Sequence, residues 1–78
     1  MSNEERNEIY AEIIQDLKKN AKALELVSMD EQMAFDNLQE HFPDSQRVMD
    51  MEDGLMSLDD AMNEIDDIIS ALEDMVEG

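Results

Sequence analysis

The chain has 78 residues, 22 of them acidic and five basic, for a net charge of −17, with no cysteine, one proline and two glycines. A chain this short holds one domain with a thin core. Without cysteine neither a disulfide nor a thiolate metal site can staple it, which leaves tight helix packing or a second subunit. The charge excludes direct nucleic-acid binding, because phosphates demand a basic patch, and it repels an anionic membrane surface while speeding encounter with basic proteins.

The opening segment MSNEERNEIY is acidic and polar rather than basic and then apolar, so it does not read as a signal peptide. Apolar runs reach two or three residues, far short of a membrane span. Hydrophobic residues make up 42% of the chain and recur periodically, which separates it from charged disordered segments. The expectation is a soluble, cytoplasmic protein (in the host cytoplasm if phage-encoded) with a single helical domain over residues 1–78. The fold class is all-α, a small acidic bundle of three to four helices at about 3–27, 29–41, 45–53 and 57–76. No stretch alternates with period two, so no strand is expected.

In the first segment Tyr10, Ile14, Leu17, Ala21 and Leu24 step by fours and threes, and Ile9 and Ile13 widen the stripe. Glu4, Glu5 and Glu8 near the start, with Lys18, Lys19 and Lys22 later, suit the helix dipole. Ser28 to Glu31, SMDE, has the form of a capping box and predicts a new helix start, with Met29, Met33, Leu38 and Phe42 facing inward and Phe35 beside them. Pro43 ends that helix, and Asp44 or Ser45 caps the next.

The last third contains two conflicting signals. Gly54 followed by the box-like SLDD at Ser57 predicts a break or kink. Yet Val48, Met51, Leu55, Leu58, Met62, Ile65, Ile69, Leu72 and Val76 continue one three-four pattern across it. With Val48, Leu55, Met62, Ile69 and Val76 at heptad position a, the d positions are Met51, Leu58, Ile65 and Leu72. Ala61, Ile68 and Met75 then fall at g. Position e is Glu52, Asp59, Asp66 and Glu73, and position f is Asp53, Asp60, Asp67 and Asp74. From Val48 onward there are eleven carboxylates and no Lys or Arg.

That helix therefore pairs an apolar seam with two parallel rows of acids. Solvated helix faces usually mix signs, and this one has no cation to relieve the repulsion. Asp is also a poorer helix former than Glu, and its short side chain holds charge close to the helix. The candidate partner-binding residues are Asp53, Asp59, Asp60, Glu64, Asp66, Asp67, Glu73 and Asp74. Of the eight methionines, Met51, Met62 and Met75 fall on the a, d and g face and read as core. Met49 and Met56, at b, either pack as core or form a small apolar contact beside the acids. His41, the lone histidine, sits near a helix C-terminus, where its charged form favours the dipole, and has no Cys or His partner for a metal.

Catalytic readings are poorly supplied. Glu4, Glu5 and Glu8 read E-E-x-x-E and Glu64 to Asp67 read E-x-x-D, a pairing that resembles the magnesium-binding carboxylates of all-α nucleotide pyrophosphohydrolases of the MazG type. The resemblance implies a Mg²⁺ bridging substrate phosphates. The two patterns are farther apart than in that family, and five cations leave little to hold a nucleotide. No Ser–His–Asp set, Gly-rich phosphate loop or Cys nucleophile is present. An EF-hand around Gly54 fails because Met49 and Met51 would take the first ligand positions. No enzyme and no cofactor are expected.

The functional expectation is a non-enzymatic acidic inhibitor, a DNA mimic that occupies the phosphate-binding surface of a basic nucleic-acid-binding protein. The partner would be a nuclease or a CRISPR or restriction component. In composition and shape the chain resembles the small acidic proteins that phages use against such machinery. Two alternatives stand beside it. One is a coiled-coil adaptor or structural homodimer working through the apolar seam. The other is an immunity or antitoxin protein neutralising a basic nuclease.

Overall fold

Pro43 divides the chain. A residue preceding proline is pushed out of the helical region, and α1, Asn3–His41, stops just before that point, with Phe42 as its C-cap. The Phe42 amide donates to the Leu38 carbonyl at 2.7 Å and the Ser45 amide to the Phe42 carbonyl at 3.2 Å, closing a tight turn. Ser45 then starts α2, Gln46–Glu77. Its Oγ accepts from the Val48 amide at 3.2 Å, as expected of an N-cap serine. Ser2 does the same for α1, accepting from the Glu5 amide at 3.1 Å. The computed structural model describes residues 1–77, and among them these two helices form an antiparallel hairpin with no strand.

The all-helical class holds, but there are two helices rather than three to four. The expected start at Ser28 does not occur: α1 runs through it without interruption. A serine in a helix interior costs only about 0.5 kcal/mol against alanine. A break there would orphan up to four amides and four carbonyls. It would also put the two halves of α1 out of phase. Ile14, Ala21, Ser28 and Phe35 occupy one heptad position, a, and Tyr10, Leu17, Leu24 and Leu38 occupy d. All eight are buried or half-buried against α2, and only Glu31 interrupts the d series.

The break at Gly54 does not occur either. No described residue has positive φ, so Gly54 lacks the left-handed backbone of a C-terminal cap. One interior glycine costs about 1 kcal/mol against alanine. The seam from Val48 to Val76 is worth more, because every a and d residue along it is buried or half-buried. The unbroken phase also corrects several inward assignments. Met29, Met33 and Phe42 are exposed because Phe35 and Leu38 take the seam, and Met49, Met56 and Met75 are exposed as well.

The result is a rod of 58 × 15 × 15 Å with a radius of gyration of 17.7 Å, against about 11.5 Å for a compact domain of this length. Only Ile14, Val48 and Ile69 are buried outright among the described residues. No described helix is long and apolar enough to cross a membrane.

Candidate protein-binding surface

Because α1 covers the a and d seam of α2, the rest of α2 must face outward, and about half of its exposed residues are acids. Asp53, Asp59, Asp60, Glu64, Asp66, Asp67, Glu73 and Asp74 are all exposed. The f row points away from α1 and repeats every heptad, about 10.5 Å along the axis. Glu64, at c, fills the interval between Asp60 and Asp67, so these three carboxylates follow each other at i,i+4 and i,i+3 spacing. Like charges so placed each cost about 0.2–0.5 kcal/mol, and no cation on α2 beyond Arg47 offsets them.

The e row is different. Glu73 Oε2 lies 3.1 Å from Lys18 Nζ, the one ion pair among the described residues. Asp66 shares a shallow groove with Lys18 and Lys22. The structure thus divides the eight candidates. Glu73 and Asp66 flank the small lysine patch of α1, whereas Asp53, Asp59, Asp60, Glu64, Asp67 and Asp74 have no cation nearby on their own helix and make no side-chain bond. Beside the turn-proximal acids, Met49 and Met56 are exposed at 54% and 62%. They give the acidic face a flexible apolar margin of the kind that adapts to a partner surface.

The net charge of −17 is distributed along a 58 Å rod, about one charge per 3.4 Å, the axial spacing of phosphates along a single strand of B-DNA and half the density of the duplex. No side chain is drawn into a catalytic arrangement. Glu4, Glu5 and Glu8 lie at the open end of α1, and Glu64 and Asp67 lie on α2 alongside the middle of α1. The antiparallel register separates the two patterns by roughly 27 Å of helix axis. Among the described residues no three His, Cys, Asp or Glu side chains come together as a metal site. His41 ends α1 in its last turn.

Sequence reasoning missed the lysine patch opposite the e row. Lys18 and Lys22 share one side of α1, but which side meets α2 depends on the hairpin register. Compared with known proteins, the chain matches no family model, no curated protein and no solved structure.

Proposed function

We propose that this protein is a non-enzymatic acidic inhibitor that occupies the basic nucleic-acid-binding surface of a partner protein in the cytoplasm. One observation carries the reading: the apolar seam of α2 is covered by α1, while its acids from Asp50 to Asp74 stay exposed, with a single ion pair among the described residues. A partner reaching α2 without unfolding the hairpin meets carboxylates. The rod as a whole matches one nucleic-acid strand in net charge per unit length. Helix α2 alone carries eleven acids against Arg47, about one net charge per 5 Å of its axis. Lys and Arg side chains arranged to hold phosphates therefore find acceptors along it, more sparsely set than on a strand. Met49 and Met56 would add an apolar margin to that contact. The partner class is a basic nuclease or a component of restriction or CRISPR machinery, and inhibition would be competitive with nucleic acid.

The test is capture of partners on the immobilised protein in low salt, followed by elution with duplex DNA and separately with rising salt. Elution of a basic nucleic-acid-binding protein by DNA supports the reading. The variant with Asp59, Asp60, Asp66 and Asp67 all changed to Asn should lose that protein while keeping its helicity. Retained capture by this variant, or a partner indifferent to DNA and salt, would overturn it.

A further inference from the structure

The two long flanks of the hairpin differ in chemistry. In an antiparallel pair, residues with the same heptad letter lie on the same flank, as the e residues Lys18 and Glu73 do. The opposite flank carries the g positions of both helices, from Arg6 to His41 on α1 and from Arg47 to Met75 on α2. Not one of these eleven positions is Asp or Glu, in a chain with 22 acids. Instead Ile13, Val27, Ile68 and Met75 stand exposed along it. Such a strip is long and free of carboxylates, apolar or small at seven of its eleven positions, with Arg6, Asn20, His41 and Arg47 at the others. A mainly apolar strip of this kind is how an interface between helices is composed.

The area available fits a subunit contact. The chain exposes 6189 Å², whereas a folded monomer of 9.0 kDa should expose about 4,850 Å². A side of the rod, 58 × 15 Å, offers on the order of 900 Å², with the g strip along its middle and the c-position acids Asp16, Asp30, Asp50 and Glu64 at its margins; a stable interface takes about 800 Å² from each partner. The strip also tapers. Ile13 and Met75 lie at its open end, Asn20 and Ile68 come next, then Val27 and Ala61, and Ala34 and Gly54 approach the turn. A Cβ built on Gly54 meets nothing within 4 Å, so the space beside it is open to another chain.

We propose that a second copy of this chain covers the g flank, head to tail and centred on Val27 and Ala61, to form a four-helix homodimer. This inference rests on the hairpin and not on the acidic-inhibitor reading. The antiparallel arrangement sets the bulk of Ile68 over Ala34 and Gly54 of the partner, and the f rows of both copies stay outward. Repulsion between two chains of −17 opposes the contact, so salt strengthens it, whereas salt weakens capture of a basic partner.

The experiment is sedimentation equilibrium across a concentration series in low and high salt, with helicity followed alongside. The wild type should sediment at twice its monomer mass, more tightly in high salt. Gly54→Glu improves helix propensity and touches nothing in the hairpin, so it should keep or raise helicity while weakening the dimer about 100-fold in Kd by burying an unpaired charge. Met33→Glu, on the outer side of α1, should leave the dimer intact. Since the native chain has no cysteine, Ala61→Cys should oxidise readily to a covalent dimer and Met75→Cys should not. A monomer at all concentrations, a dimer indifferent to Gly54→Glu, one lost with Met33→Glu, or cross-linking at residue 75 rather than 61 would each overturn the proposal.

Discussion

Lys18 Nζ and Glu73 Oε2 approach to 3.1 Å across the hairpin, 55 residues apart in sequence. Both sit at e positions, so this contact reports the register of the two helices directly: Ala21 and Ile69 share one level and Ile14 and Val76 another. The pair marks the register more than it holds it. Its side chains are 55% and 49% exposed, and ion pairs in that setting contribute little.

Lys18→Ala or Glu73→Ala should therefore cost less than about 1 kcal/mol, under ~8 °C in Tm for a domain this small. The difference should shrink in high salt. A loss well beyond that, persisting in high salt, would mean the pair does more than screened surface charges can.

Gly54→Ala should stabilise the protein by about 0.5–1 kcal/mol, because α2 is helical through this position and a Cβ meets no atom. A denaturant titration in low salt, at a concentration where sedimentation shows monomer, measures it free of the proposed contact with a second copy. Were Gly54 a left-handed cap, the same substitution would destabilise, so the sign alone decides whether α2 is continuous in solution.

Ile14→Ala and Ile69→Ala truncate two of the three buried hydrophobic side chains among the described residues. Each should cost about 2–4 kcal/mol, and marginal stability makes either change close to unfolding the chain. Met33→Ala, at a site 70% exposed, should stay within about 0.5 kcal/mol. Comparable losses at Met33 and Ile69 in urea melts would contradict the phase of α1.

The Asn variant at Asp59, Asp60, Asp66 and Asp67 should melt at or above the wild-type temperature, since it removes repulsion along α2 and no described hydrogen bond. Added salt should raise the Tm of the wild type more than that of the variant. Equal salt responses would show that these carboxylates carry little of the self-repulsion.

Much of this molecule is determined by the sequence alone. The three-four spacing from Tyr10 to Leu24 and from Val48 to Val76 sets which faces are apolar, Pro43 sets the one sharp turn, and the heptad frame sets the acid rows on the far side of α2. These are properties of spacing, and α-helix geometry turns spacing into direction without reference to the rest of the chain. Tertiary structure decided what local signals left in conflict. The capping-box patterns at Ser28 and Ser57 and the glycine at 54 each favour an end by about a kilocalorie. Continuous seams in two long helices pack against each other only if neither breaks, and that shared burial outweighs the local preferences. The same pairing decided the flanks. No single-helix pattern shows that Lys18 would meet Glu73, or that the positions lacking acids on both helices would lie side by side, because that depends on the antiparallel register of residues far apart in the chain.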